Sequence, residues 1–229
     1  MAMSMQELRA VVDGDPDLAR IAARLAGSED SAHDAHHALR VAIWTIHCVD
    51  GAVPARVAIA AALCHDLVNL PKDHPDRARA SAYSSAAARE LLAGGAFSAA
   101  EIDDIADAVR THSFSRGESP TSALGRALQD ADRLEALGAI GILRTAAVGA
   151  SLGARLFHAE DPFARGRALE DRAFSIDHFF TKLLGLHATM TTPRGRDEAR
   201  RRTATMQRFL GELGAELGVP APDAIGAAP

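Results

Sequence analysis

Apolar positions recur at helical spacing along most of the chain. Alanine-rich stretches place an apolar residue at every third or fourth position, whereas alternating runs of β-branched or aromatic residues are nearly absent. Clusters of glycine and proline separate the periodic stretches at DGAVP, NLPKDHP, GGAFS, SRGESP, EDPFARG and TTPRG. The pattern predicts an all-α fold of roughly eight or nine helices.

The breaks between these helices are too short to be domain linkers. We therefore expect one helical domain over residues 1–218, and the 48% of hydrophobic residues is enough to bury a substantial core. The segment 219–229 has no periodic apolar face, which indicates a frayed C-terminal tail.

Composition and charge narrow the range of partners. A net charge of −5 and a pI near 6.0 argue against a surface that binds a nucleic-acid polymer. The basic run RGRDEARRR is interrupted by acids, so it predicts a solvated helix face. We expect a cytoplasmic protein without a membrane partner, because neither a secretory signal nor an apolar run of membrane-spanning length is visible. Cys48 and Cys64 lie in apolar helical patterns and are expected to be reduced core residues.

Three histidines precede an amphipathic helix in HDAHHALRVAIWTIHC. At about 100° per residue, His33 and His37 share one inward stripe with Cys48, while His36 turns towards Arg40. His37 is therefore the better buried candidate. A single histidine on an apolar face is more often a hydrogen-bonded core residue than a ligand, so this assignment depends on finding its partners.

A His–Asp pair interrupts the apolar run LCHDLVNLPK. Small alanines share the helix face of His65, and Asp66 lies one step further round, so both reach an ion only over the edge between them. Each buried polar group without a partner costs roughly 1–3 kcal/mol, and a metal ion is one suitable partner. The alternative is that Asp66 orients a neighbouring helix or caps a turn.

Two later helices carry further polar residues on apolar faces. In EIDDIADAVRTH, His112 closes the buried face at the helix end, where it either joins a site or interacts with the helix dipole. In SALGRALQDADRLEALG, Asp130 and Asp132 lie on opposite margins of the apolar face, and Glu135 projects onto it. Buried carboxylates need cations there, but face geometry does not choose between Asp130 and Asp132.

The order of His37, His65 with Asp66, and a distal Asp132 resembles the H…HD…D pattern of the HD-domain superfamily of metal-dependent phosphohydrolases. The blocks HDAHHALRV, LCHDLVNLPK, THSFSRG, QDADRLEALGAIGILRT and DHFFTKLLGL are similar to those of its YedJ-like bacterial subset and cover most of residues 31–190. The resemblance implies a single HD-domain helical bundle whose metal ligands are His37, His65, Asp66 and Asp132. Ala35 and His36 stand where the family often has large aromatic residues, so one pocket wall differs.

The chemistry follows from this ligand set. Two imidazoles and two carboxylates suit one divalent ion, Mn²⁺, Fe²⁺, Co²⁺, Ni²⁺ or Zn²⁺, and Mg²⁺ less well. The resemblance implies a phosphohydrolase acting on a small phosphorylated substrate, a nucleotide, and converting a nucleoside triphosphate to a monophosphate and pyrophosphate. Asp66 and His112 are the catalytic candidates. The substrate-binding candidates are His33, Lys72, Arg116, His178 and Lys182, and Arg77 and Arg133 are further cations.

Three other functions fit parts of the pattern. A nucleotide monophosphate phosphatase would use the same ligands on a substrate of lower charge. An HD-fold di-iron oxygenase needs further histidine ligands between the His–Asp pair and the last Asp, and His74 and His112 are the two available. A non-catalytic nucleotide sensor would keep the ligands without turnover.

Overall fold

The computed structural model describes residues 3–25, 35–70, 74–113 and 118–222. Within these ranges the chain forms ten α-helices and two short 3-10 helices. The same ranges contain no strand, and extended backbone pairs only in an isolated bridge between Arg155 and Phe174. The predicted all-α class is therefore confirmed, with one helix more than the upper end of the expected number.

The helices are named in chain order. They are α1 (Met5–Gly14), α2 (Pro16–Leu25), α3 (Ala35–Val49), α4 (Ala55–Cys64), α5 (Ala80–Leu92), α6 (Ala99–Thr111), α7 (Ala123–Leu134), α8 (Gly138–Ser151), α9 (Ser175–Thr181) and α10 (Pro193–Leu217). The 3-10 helices are Arg77–Arg79 and Leu183–Thr189.

Local sequence signals explain where several helices begin and end. Ser4 and Ser98 each accept a backbone N–H from the glutamate three residues later, and that glutamate accepts the serine N–H in return. Thr192 caps α10, which has a proline at its first position. Gly218 ends α10 with φ of 67°, a left-handed conformation that glycine adopts at little cost.

The contacts divide the chain into two compact units, Met1–Asp132 and Arg133–Pro229. In the first unit, α4 packs against α2, α3 and α6, and α5 packs against α6. Every residue of α4 from position 57 to 64 is buried, which explains why this helix is apolar on all sides. Helix α4 is thus the centre of the first core.

In the second unit, α10 packs against α8 and against the helix Leu183–Thr189. The tail begins with ordered contacts, because Val219 donates its N–H to the Gly214 carbonyl and Arg165 donates to the carbonyls of Pro220 and Ala221. Residues 223–229 lie outside the described part of the chain. The single-domain boundary at residue 218 stays a prediction.

No single helix in the described ranges is both long and apolar enough to cross a membrane, and only α7 and α8 taken together as a bent pair reach that length and composition.

Candidate metal centre

Two helix ends present histidines to the candidate site. Helix α4 ends at Cys64 and α6 at Thr111, so His65 and His112 are the C-terminal cap residues. The Nδ1 of His65 lies 2.7 Å from the Ala62 carbonyl oxygen, and the Nδ1 of His112 lies 2.7 Å from that of Val109. The last carbonyls of a helix lack backbone donors, so each ring donates its Nδ1–H to one of them. That hydrogen bond leaves each Nε2 as an acceptor.

His37 and Asp132 meet the Nε2 atom of His65 from two other helices. His37 lies in α3 and Asp132 in the last turn of α7. The Nε2 of His37 is 3.3 Å from the Nε2 of His65 and 3.5 Å from Oδ1 of Asp132. The same Asp132 oxygen is 3.9 Å from the Nε2 of His65. These three side chains form one group that fits a metal ion.

Asp66 follows His65 in a turn rather than on the helix surface, because α4 has already ended. Its Oδ2 lies 3.4 Å from the Nε2 of His65, and its Oδ1 lies 3.8 Å from the Nε2 of His112. His65, Asp66 and His112 form a second possible ligand group, and His65 belongs to both. The expectation that the His–Asp pair shares a helix edge was wrong, and the helix end explains how both side chains reach one point.

The site has an imidazole floor, formed by His37, His65 and His112, and a carboxylate rim, formed by Asp66 and Asp132. The floor residues are 1%, 1% and 5% exposed, whereas the rim side chains are 27% and 35% exposed. The imidazole floor is therefore closed to solvent, whereas the carboxylate rim faces solvent.

Electrostatics favour a neutral imidazole at His65 and an ionised carboxylate at Asp132. Burial lowers the pKa of His65, although the charge of Asp66 acts in the opposite direction. Loss of water opposes ionisation of Asp132, but a hydrogen bond from His37 and the electrostatic interaction with the neighbouring imidazoles outweigh it and hold the pKa of Asp132 far below its ordinary value. Metal ligands must be deprotonated, so these protonation states are the ones that bind a cation.

The donor set fits a divalent first-row ion. Contacts of 3.3–3.9 Å join the Nε2 of His65 to His37, Asp66 and Asp132, and His37 lies 3.5 Å from Asp132. Such separations are of the size expected between ligands of one ion bonded at roughly 2.0–2.2 Å. The Nδ1–H bond of His65 to a backbone carbonyl is also the kind of outer contact that orients a metal-binding histidine. The identity of the metal and the number of ions bound stay predictions.

The structure does not bring every predicted residue to this point. His33, Lys72 and Arg116 lie outside the described residues. His178 has its Nδ1 3.1 Å from Oδ2 of Asp171. Lys182 is the C-terminal cap of α9 and donates its backbone N–H to the His178 carbonyl at 3.2 Å, so the two residues are one helical turn apart. The roles of these five residues as substrate contacts stay predictions.

The remaining cations have other partners. Arg77 donates to the side chain of Asn69 and to the Leu70 carbonyl. Arg133 donates to the Thr189 carbonyl at 2.7 Å. These contacts supply a structural role for both arginines.

Three groups left open by the sequence are not members of the two ligand groups of the described residues. Asp130 is fully buried. Glu135 lies 3.9 Å from both Arg144 and Arg202, which supplies the cations that its burial requires. The His74 ring accepts the backbone N–H of Asp76, and His74 belongs to neither ligand group of the described residues.

Comparison with known proteins agrees with this arrangement. Residues 34–137, which contain the whole floor and rim, match the family model for the HD domain. A relative that is 32% identical extends the match over 201 residues, which are 86% of this chain and 89% of that protein. The chain therefore belongs to the HD-domain family. The relative is protein YpgQ of Bacillus subtilis (strain 168).

Solved structures share the fold. YpgQ in complex with ADP superposes with a TM-score of 0.67 and 25% identity, over 86% of this chain and 96% of that one. A protein from Lactobacillus plantarum gives a TM-score of 0.65 and 27% identity, over 88% and 97% of the two chains. An HD-superfamily hydrolase from Bacillus thuringiensis, 24% identical, shares the fold with a TM-score of 0.68 over 92% and 98%. The finer assignment to a YedJ-like subset stays a prediction.

Proposed function

We propose that this chain is a metal-dependent phosphohydrolase that acts on nucleotides. The observation that carries the proposal is that one side-chain atom of each of His37, Asp66 and Asp132 lies 3.3–3.9 Å from the Nε2 of His65. The structure of YpgQ with ADP supports a nucleotide ligand, because YpgQ is similar along most of its length.

In this proposal His37, His65, Asp66 and Asp132 hold one divalent ion, of Mn²⁺, Fe²⁺, Co²⁺, Ni²⁺ or Zn²⁺, with Mg²⁺ less suited to two nitrogen ligands. When bound, the ion supplies Lewis-acid polarisation of a phosphoryl oxygen and a water of lowered pKa. The Nε2 of His65 needs no rearrangement to bind, since its ring is already held by the Ala62 carbonyl.

Asp66 and His112 accept the proton of the attacking water in turn. Asp66 lies at the solvent-facing rim with one oxygen towards His65 and the other towards His112. The rim carboxylate accepts the proton, and the Nε2 of His112 is the next acceptor at 3.8 Å. His112 thus orients Asp66 or accepts the proton from it, and its ring also forms part of the floor.

We further propose that the α-phosphorus of a nucleoside triphosphate, a deoxynucleotide by resemblance, is attacked. The water oxygen bonds to the α-phosphorus, the bond to the bridging oxygen breaks, and pyrophosphate leaves with that electron pair. A triphosphate brings about four negative charges, which suits several cations better than a monophosphate does. His33, Lys72, Arg116, His178 and Lys182 are the side chains proposed to bind its phosphates.

Product analysis tests the proposal. The chain is stripped with a chelator, loaded with Mn²⁺, and incubated with nucleoside mono-, di- and triphosphates, and the products are separated by ion-exchange chromatography. We expect monophosphate and pyrophosphate from triphosphates. Nucleoside and free phosphate from a monophosphate, without pyrophosphate from triphosphates, would identify a nucleotidase instead. Nucleotide binding without any turnover would identify a sensor.

The matched control is His36→Ala. His36 is exposed on α3 beside the buried His37, so it changes the same helix without changing the floor. We expect this variant to keep its metal and its products, whereas His65→Ala should lose both together. Full metal occupancy in His65→Ala would overturn the proposed centre.

A further inference from the structure

The helix end that follows Asp132 is held by a buried arginine. Helix α7 ends at Leu134, two residues after Asp132, and the Nη1 of Arg202 donates to the Leu134 carbonyl at 2.6 Å. The Nε of the same guanidinium donates to Oε1 of Glu198 at 2.7 Å. Its Nη1 also lies 3.9 Å from Oε1 of Glu135. One side chain of α10 thus joins the last carbonyl of α7 to two carboxylates.

The contacts of Arg202 with Glu198 and with the Leu134 carbonyl are buried. Burying these charged groups costs free energy unless the geometry of their hydrogen bonds is maintained. Arg202 and Glu198 are each 9% exposed, and Glu135 is 2% exposed. Charged groups at such sites stabilise a fold only when their hydrogen bonds are satisfied. The chain also makes room for the arginine, because a Cβ on Gly138, whose φ is +71°, would meet Cγ of Arg202 at 3.1 Å. A side chain at position 138 would therefore both crowd Arg202 and strain the backbone.

The C-terminal turn of a helix frays easily, because its carbonyls have no backbone donors. Asp132 lies in that turn of α7, where a small rotation would move its carboxylate away from His37 and His65. A cation at a helix C-terminus satisfies a carbonyl and also interacts favourably with the helix dipole.

We propose that Arg202 is a positioning residue of the metal centre, which fixes the last turn of α7 and so sets the position of the Asp132 carboxylate. The inference rests on the proposed metal centre. Arg202 acts through the backbone of α7, and Glu198 holds the guanidinium in the orientation that this contact needs.

The test compares Arg202→Met with Arg201→Met. Methionine keeps part of the aliphatic stem and removes the guanidinium. Arg201 is the matched control, because it pairs with the same Glu198 at 2.7 Å, yet its side chain is 68% exposed. Each chelator-stripped variant is titrated with Co²⁺ by calorimetry and visible absorption, at a temperature well below its own unfolding midpoint.

We expect Arg202→Met to bind Co²⁺ with an affinity roughly 10–100-fold lower and with an altered absorption spectrum, as changes to supporting contacts of metal ligands do. Arg201→Met should bind as the unmodified chain does. Unchanged affinity and spectrum in Arg202→Met, or equal losses in both variants, would overturn the positioning role. If Arg202→Met does not fold, Glu198→Gln decides the same question against Arg201→Met, with weaker Co²⁺ binding expected and unchanged binding overturning the role.

The two proposals fail in different ways. An unmodified chain that takes up no Co²⁺ overturns the metal centre itself. An unmodified chain that takes it up, with Arg202→Met and Glu198→Gln unchanged, overturns only the role of Arg202.

Discussion

Asp66→Asn is the sharpest perturbation of the proposed centre. Asparagine has nearly the size of aspartate, and the side chain is only partly buried, so the packing of the rim changes little. The substitution removes one negative charge from beside the Nε2 of His65 at 3.4 Å and that of His112 at 3.8 Å. We therefore expect a chain that folds normally but binds a divalent ion much more weakly.

The size of the effect follows from simple electrostatics. Two unit charges about 4 Å apart near a protein surface interact by about 4 kcal/mol, which corresponds to a roughly 1,000-fold change in Kd. At a metal concentration about 1,000 times the Kd of the unmodified chain, binding stabilises that chain by about 4.1 kcal/mol. For a chain of this size that is a rise in Tm of about 8–16 °C. In Asp66→Asn the same concentration is near Kd, so the gain is about 0.4 kcal/mol, or roughly 1–2 °C.

The assay is thermal unfolding of chelator-stripped protein during titration with Mn²⁺, which needs no substrate. His36→Ala is the control and should show the full rise in Tm. A rise of the same size in Asp66→Asn as in the unmodified chain would refute the reasoning, because Asp66 would then contribute no charge to the bound ion.

Three further outcomes follow from other residues. His112→Gln should keep its affinity for Mn²⁺ while turnover falls roughly 100-fold or more, and a lower Tm with unchanged kcat and KM would show a purely structural histidine. Burial raises the pKa of the Cys64 thiol to about 12, so a thiolate-selective reagent at pH 8 should label it only after unfolding, and fast labelling of the native chain would contradict that burial. Burial opposes ionisation of Glu198, but the hydrogen bonds of Arg201 and Arg202 outweigh it and hold its pKa below the ordinary value of 4.5. Ionised Glu198 therefore stabilises the fold at pH values above 4.5, and the free energy of unfolding should fall as the pH drops below 4.5. In Glu198→Gln this fall should be shallower, as chemical denaturation at several pH values would show.

The helical periodicity predicted the face of individual residues well. His37 is 1% exposed and the adjacent His36 is exposed, as the 100° rule required of the stripe in HDAHHALRVAIWTIHC. His112 ends the buried face of α6, as EIDDIADAVRTH indicated. Such predictions succeed because the apolar stripe of a helix alone decides which side is buried.

The direction of a side chain does not reveal which element lies opposite it. Asp130 and Asp132 both border the apolar face of α7, yet Asp130 is fully buried and belongs to neither ligand group of the described residues, whereas Asp132 reaches His37. Only tertiary packing separates the two, and the family resemblance supplied that information.

The end of α4 was also hidden from the periodic pattern. The apolar run continues past Cys64 without a glycine or proline, so it predicted a helix that carried His65 and Asp66 on its surface. Where the helix ends, the ring of His65 bonds to the Ala62 carbonyl, and His112 does the same with Val109 at the end of α6. The available signal was a histidine near the end of an apolar run, because its ring can bond to the backbone carbonyl three residues earlier.

The arrangement of floor and rim also has a kinetic consequence. An ion that enters from solvent meets the carboxylates of Asp66 and Asp132 first and loses its inner waters to the imidazoles of His37 and His65 last, since those rings are almost inaccessible. Release must reverse this order, with nitrogen ligands that no water can readily replace. In the proposed centre we therefore expect exchange between ions to be slow compared with loading. The ion found in a purified sample will reflect supply and order of arrival as much as relative affinity.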